Sequence, residues 1–202
     1  MKYTGPKAKL SRSLGIALTP KAARIMERRP GPPGQHGGVQ RGRPQRMSDY
    51  KRQLMEKQRL RAQYNIHERQ MRNYFRKAAR RKGTTPENLI HALESRLDAV
   101  VLRGGLAPTI YAARQLVSHG HIQVNGKQVT YPAYVIRPGD VVSIKPSSRN
   151  IPMVVEAVDS ATPPPYLELA KDDMAVTLRY LPQREEVPVI CDLALVVEFY
   201  SR

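Results

Sequence analysis

The stretch Ala113–Gly126, ARQLVSHGHIQVNG, decides the fold. Its first half reads as the end of a helix, with Leu116 and Val117 turned to a core. Gly120 supplies the left-handed residue that closes a helix. His121-Ile122-Gln123-Val124 then alternates with the period of a strand. Asn125-Gly126 is a strong type I′ hairpin turn, and Lys127 to Tyr131 alternates again. Helix, glycine stop, strand and hairpin in so short a span describe a small mixed module.

The pair His119-x-His121 has a spacing that metal sites use, but a metal needs three or four ligands. His36, His67 and His91 fall in a Gly/Pro-rich arm or on helices, and the one cysteine, Cys191, is about 70 residues further on. No metal is expected. His119 with Asp98 or Asp140 has no nucleophile motif beside it. The chain holds no G-x-S-x-G, no phosphate-cradling glycine loop and no H-E-x-x-H. It is therefore read as a non-enzyme that takes no cofactor and no small-molecule substrate. Contact with a polyanion remains: Arg114, Gln115, Ser118, His119 and Lys127 make a polar cluster suited to phosphate and sugar.

Outward from this stretch, Pro108-Thr109 opens the helix that ends near His119. An earlier helix is announced by Thr85-Pro86-Glu87 and carried by Leu89, Leu93, Leu97 and Val100 or Val101. It breaks near Ser95 and stops at Gly104-Gly105. Downstream, Val135-Ile136, a turn at Pro138-Gly139-Asp140 and a strand from Val141 to Lys145 follow. Tyr166–Ala170 and Met174–Leu181 read as a further hairpin. The apolar tail, Val189 to Tyr200, is expected to pack back on an earlier domain.

The N-terminal part differs in character. A short helix is predicted from Thr19, as N-cap, with Pro20 at its first position, to Arg29. Arg28–Arg46, RRPGPPGQHGGVQRGRPQR, has almost no apolar content and is read as an arm that orders on a partner. Ser48 and Asp49 open a helix to about Tyr64, with Tyr50, Leu54, Leu60 and Tyr64 as a thin apolar stripe and Lys51, Arg52, Lys57, Arg59 and Arg61 over much of the rest. A second helix, His67 to Lys82, carries Met71, Tyr74, Phe75 and Ala78 on one face.

Charge is divided in the same way. The 202 residues carry a net charge of +17. Residues 1–82 hold 23 Lys and Arg against 4 acids, and residues 83–202 hold 11 against 13. A charged helix face is ordinarily just solvated, but a net of +19 over 82 residues calls for a polyanion, most often nucleic acid. An acidic membrane surface fits poorly, since no segment nears the roughly 20 apolar residues of a membrane span. One cysteine forms no internal disulfide, which suits a reducing compartment and a cytoplasmic setting. The phosphate-neutralising set is Arg41, Arg43, Arg46, Lys51, Arg52, Arg59, Arg61, Arg69, Arg72, Arg76 and Arg80. Tyr50, at a helix start, is the best base-stacking candidate. Tyr64, Tyr74 and Phe75 are assigned to core packing.

Several motifs resemble a known family. RLDAVVLR (Arg96–Arg103), ARQLVSHGHIQVNGKQV (Ala113–Val129) and VIRPGDVVSI (Val135–Ile144) are similar to the S4 RNA-binding module, which pseudouridine synthases, some tRNA synthetases and small heat-shock RNA binders also carry. PGQHG (Pro33–Gly37), SDYKRQLMEKQRLR (Ser48–Arg61), ERQMRNYFRKAARRKG (Glu68–Gly83) and VVEFYSR (Val196–Arg202) resemble the bacterial ribosomal protein S4 family itself.

The resemblance implies an α+β chain: a flexible basic N-terminal extension (1–45), a small all-helical rRNA-binding domain (46–93 plus 185–202), and an inserted α/β RNA-binding module of two helices and a small, mainly antiparallel sheet (94–184, core motif 94–157). It implies a structural constituent of the small ribosomal subunit. Such a protein is a primary rRNA binder that grips a five-way junction and nucleates the subunit body, and its contact with its neighbour S5, together with S12, affects decoding accuracy. Messenger RNA would pass near it. The setting is the ribosome, in cytoplasm or an organelle. To the RNA-contact set it adds Gln35 and His36 of PGQHG, Arg96 and Asn125. Asp98, beside Arg96, is read as part of a local ion pair, because a carboxylate next to phosphate is repelled. Glu185, Glu186 and Asp192 are expected to face a protein, S5 by resemblance.

Two departures stand out. The cysteine cluster that holds zinc in the first 35 residues of some members is absent, and Ile110 stands where many members have Arg. An RNA-modifying enzyme that uses the module for targeting would need a further catalytic domain, for which the basic helices and arm leave no room. Another RNA-binding regulator, or a DNA-compacting protein, is the remaining alternative.

Overall fold

The structure, a computed structural model, describes residues 3–34 and 47–202. It is α+β, with helices and a small antiparallel sheet. Two compact units form: one from the described residues up to Phe75 together with Val189–Arg202, the other from Arg76–Pro188.

The first unit is helical. α1 (Lys7–Leu14) was not expected: its polar sequence hides two core residues, Ser11 and Leu14, and Gly15 closes it at φ 69°. α2 (Pro20–Arg28) starts as predicted, with Thr19 Oγ1 accepting from Ala22 N at 3.1 Å and Pro20 at the first position. α3 (Asp49–Gln63) starts from Ser48, whose Oγ accepts from Lys51 N at 3.3 Å. α4 (Glu68–Ala79) follows, and α9 (Leu193–Tyr200) packs on α3. The tail therefore returns as expected.

The α3 core face differs from the expected stripe. Gln53 and Lys57 are buried beside Leu60, while Tyr50 is more than half exposed. Lys57 enters because Glu68 meets its Nζ at 2.8 Å and the Phe199 ring lies 4.7 Å beneath it. A buried charge is tolerated when it is paired in this way.

The second unit carries α5 (Thr85–Glu94), α6 (Leu97–Arg103), α7 (Ile110–Ser118) and α8 (Pro152–Asp159), with β1 (Ile122–Val124), β2 (Lys127–Gln128), β3 (Val141–Ile144), β4 (Leu167–Ala170) and β5 (Ala175–Leu178). The predicted break falls at Ser95–Arg96, and Thr109 caps α7 by accepting from Ala112 N. The sheet order is β2-β1-β3-β5-β4, antiparallel throughout. Val124, Val142 and Val176 lie abreast across three strands and are all buried. α6 lies against β3 and β5, so close that a Cβ on Gly104 would come within 2.5 Å of Val176 Cγ2. The Asn125-Gly126 turn has positive φ at both residues (50° and 78°), which the type I′ turn demands. α8 was not expected: the short apolar run in MVVEAV fits strand and helix alike.

Candidate nucleic-acid interface

α4 presents two opposed faces. Met71, Phe75 and Ala78 are buried, while Arg69, Arg72, Arg76 and Lys77 are exposed, and Arg80 to Lys82 are exposed just beyond its end. Arg69, Arg72, Arg76 and Arg80 recur at three and four residues. At 1.5 Å per residue, the part of the row inside α4, Arg69 to Arg76, spans roughly 10 Å. Phe75 is fixed from behind by the Tyr200 ring, with centroids 5.0 Å apart.

At the root of this face sits Glu68. It accepts from Lys57 Nζ at 2.8 Å and from the Tyr200 hydroxyl at 2.7 Å. Burial alone would raise its carboxyl. The hydrogen bonds from Lys57 and Tyr200, with the charges of Lys57 and Arg61, outweigh that and hold it below the ordinary glutamate value. Burial and the Glu68 carboxylate push the Tyr200 phenol up. The acid therefore stays ionised and neutralises an inner cation instead of weakening the outer row.

On α3, Lys51 and Arg52 are exposed, with Arg52 3.6 Å from Asp49. Arg59 has partners within the chain. Its Nε donates to the Leu14 carbonyl at 2.8 Å and its Nη1 to Glu56, so the guanidinium ties α1 to α3. Arg61 is half-buried. Tyr50 keeps an exposed ring 6.0 Å from that of Phe199. Gln35, His36, Arg41, Arg43 and Arg46 lie outside the described residues.

In the second unit, Gln115, Ser118 and His119 are exposed along α7 and its end, and Lys127 is exposed after the hairpin turn. Gly120 (φ 76°) lets β2 cross close by: a Cβ there would meet the Gln128 amide, with Thr130 Cγ2 3.7 Å away. So the end of α7 and the segment 127–130 are neighbours, as the opening motif implied. The rings of His119 and His121 are 6.2 Å apart, and His121 Nδ1 lies 2.9 Å from Ser148 Oγ. Among the described residues no cluster of three or more His, Cys, Asp or Glu is placed to hold a metal ion.

Three expected contacts of this unit have partners within the chain. Arg96 is 1% exposed, and its Nε and Nη2 donate to Asp98 Oδ1 and Oδ2 at 2.9 and 2.7 Å. Arg114 is buried with its Nε 3.7 Å from the same carboxylate. Both are structural cations around Asp98, which is wholly buried. Burial pushes the Asp98 carboxyl up, and Arg96 and Arg114 pull against it. Asn125 spends its side chain on the turn, donating to Asp140 Oδ1 and accepting from Val141 N. Ile110, a departure from the family pattern, is buried in the core.

A second buried network escaped sequence reading. Tyr166 donates to Glu94 Oε2 at 3.0 Å, and Arg103 lies 3.4 Å from Glu94 Oε1. Burial pushes the Tyr166 phenol up, so it remains a donor. Of the three expected protein-contact acids, Glu185 is exposed. Glu186 accepts from the Tyr180 hydroxyl and Gln183 N. Asp192 caps α9, accepting from Ala194 N at 2.9 Å.

Residues 2–94 match the model of the ribosomal protein S4/S9 N-terminal domain, and residues 95–142 match that of the S4 domain. Over 202 residues the chain is 51% identical to the small ribosomal subunit protein uS4 of Streptomyces avermitilis, covering 98% of this chain and 97% of that one. The chain belongs to the uS4 family. The uS4 of Streptomyces griseus is 52% identical over 203 residues, 98% of this chain and 97% of that one. The uS4 of Chlorobium phaeovibrioides is 45% identical over 205 residues, 100% and 99% of the two chains. In this uS4-family chain the junction between the two family models, at residues 94 and 95, falls at the break between α5 and α6. Among the described residues no helix is long and apolar enough to cross a membrane.

Proposed function

We propose that this chain is a primary rRNA-binding protein of the small ribosomal subunit, which grips a five-way junction and nucleates assembly of the body. The observation that carries the reading is the exposed arginine row of α4, backed by a buried apolar face, in a chain of the uS4 family. The remaining contacts are Lys51, Arg52, Gln115, Ser118, His119 and Lys127, with the arm residues Gln35, His36, Arg41, Arg43 and Arg46. Such a surface reads shape. The major groove of A-form RNA is too narrow for side chains, so phosphate and 2′-hydroxyl contacts dominate.

The basic extension and helical unit supply the grip and the inserted module supplies the second contact. Glu185, Glu186 and Asp192 are the acids offered to a neighbouring protein, S5 by family resemblance. Messenger RNA passes nearby, decoding accuracy depends on that interface, and the ribosome is cytoplasmic. The test is filter binding to a folded small-subunit five-way junction against duplex DNA of equal length across a salt series. A preference of about a thousandfold or more is expected, the low end of specific over non-specific binding. Equal binding to both, lost together as salt rises, refutes the reading.

A further inference from the structure

Between β2 and β3 the chain makes a tight turn, Tyr131-Pro132-Ala133-Tyr134, closed by Tyr134 N donating to Tyr131 O at 3.0 Å. A turn of this kind brings its end Cα atoms within about 7 Å of each other. Three backbone hydrogen bonds staple it to the start of α6: Leu97 N to Tyr134 O at 2.9 Å, Asp98 N to Pro132 O at 3.1 Å, and Ile136 N to Ser95 O at 2.7 Å. The anchor lies beside the buried Arg96–Asp98 pair. Yet Tyr131 is 74% exposed, Tyr134 44% and Val135 59%.

Large side chains displayed on an immobilised backbone are pre-organised for contact and lose little freedom on binding. The surroundings select the occupant. From Ala99 to Gly139 the chain has cations but no acid. Thr130, next to Tyr131, lies beside Gly120, and so beside the exposed end of α7. An aromatic surface at the edge of a phosphate-binding cluster suits a nucleobase, since every base offers a face to stack on.

We propose that Tyr131 and Tyr134 form a stacking platform for an unpaired base of the RNA that Gln115, Ser118, His119 and Lys127 hold by its backbone. This rests on the rRNA-binding reading above. The chain has no tryptophan, so Tyr131→Trp installs a sole reporter. Full-length Tyr131→Trp, Tyr131→Phe and Tyr131→Ala are titrated with the folded small-subunit junction and with the same RNA in which unpaired positions are closed by pairing.

Tyr131→Ala is expected to weaken binding roughly five- to a hundredfold, the usual loss when a base-stacking side chain is truncated, with an unchanged slope of affinity against salt. Tyr131→Phe should bind like the parent, and the tryptophan emission should quench on the open junction only. Unquenched emission with unchanged Tyr131→Ala affinity, while the parent binds RNA tightly, overturns the platform alone. Emission that shifts only when other small-subunit proteins are added assigns the patch to a protein and also overturns it. A parent chain that binds no rRNA overturns both readings.

Discussion

Replacing Arg96 with methionine separates a buried clamp from an RNA contact. The Arg96 guanidinium forks onto both oxygens of Asp98 at 2.9 and 2.7 Å, with Arg96 1% and Asp98 0% exposed. Removing one member of a buried pair costs about 3–5 kcal/mol, because the other charge stays in low dielectric without its partner. Arg114 Nε stands 3.7 Å from Asp98 Oδ2 and offsets part of that loss, so Arg96→Met belongs at about 3 kcal/mol. Asp98→Leu leaves two guanidiniums without their carboxylate and belongs nearer 5 kcal/mol. The double variant Arg96→Met/Asp98→Leu removes the whole fork. Its cost should fall short of the sum of the singles by about 2 kcal/mol or more, the coupling of groups in one network.

Urea unfolding of the full-length chain at neutral pH, followed by circular dichroism, measures the three costs. Filter binding to the rRNA junction across a salt series supplies the second readout. Loss of a phosphate contact lowers the slope of log affinity against log salt by about 0.7–0.9. For Arg96→Met the slope should not change. A stability loss below about 1 kcal/mol, together with a slope reduced by nearly one, would show that Arg96 leaves Asp98 to hold phosphate, and the clamp would be refuted.

The triple variant Arg69→Ala/Arg72→Ala/Arg76→Ala should do the opposite: a salt slope reduced by about 2–3 with unfolding unchanged within about 0.5 kcal/mol. An unaltered slope would remove the α4 row from the interface. Glu68 has a carboxyl held below its ordinary value, so its stabilisation is complete above the unfolded glutamate pKa of about 4.3 and is lost as pH falls through the lower folded value. Glu68→Gln should be less stable than the parent at pH 7, and the gap should close as acid is added; a gap independent of pH would contradict the assignment. Asp192→Ala removes the cap of α9 and should cost about 1 kcal/mol in urea unfolding, with the rRNA salt slope unchanged.

Local chemistry was readable where a single residue enforces a backbone state. Thr19-Pro20, Ser48 and Thr109 start their helices, Gly120 stops one, and Asn125-Gly126 turns a hairpin, each within a few residues of where the chain places it. The hairpin of β4 and β5 and the returning α9 followed from apolar pattern alone. Two helices were not readable. α1 has too few apolar residues to show a period, and the apolar run of α8 fits strand and helix alike. The fate of charged side chains was the larger gap. Lys57 and Glu68 meet across 11 positions, and Arg114 reaches Asp98 across the turn between α6 and α7. A pattern of neighbours along the chain cannot show which carboxylate a cation will find. The spacing of Arg96 and Asp98 was the exception, and the local pairing expected of Asp98 is what the structure has.

That gap bears on how the two halves of the chain divide their work. In residues 83–202 the 11 cations are outnumbered by 13 acids, and Arg96, Arg103 and Arg114 stand within 4 Å of carboxylates. Residues 1–82 have 23 cations for 4 acids, and three of those acids are already engaged: Asp49 by Arg52, Glu56 by Arg59 and Glu68 by Lys57. Whatever their geometry, four carboxylates neutralise few of the 23. The rest must be screened by salt or by a polyanion. Because these three acids are engaged by cations of α3, they do not offset the outward row of α4. An added acid on that row, Asn73→Glu, would weaken rRNA binding by repulsion. The same acid at Ser160, exposed in the balanced half beyond α8, would leave it unchanged. Equal losses from both would mean that net charge alone, and not its placement on α4, governs the affinity.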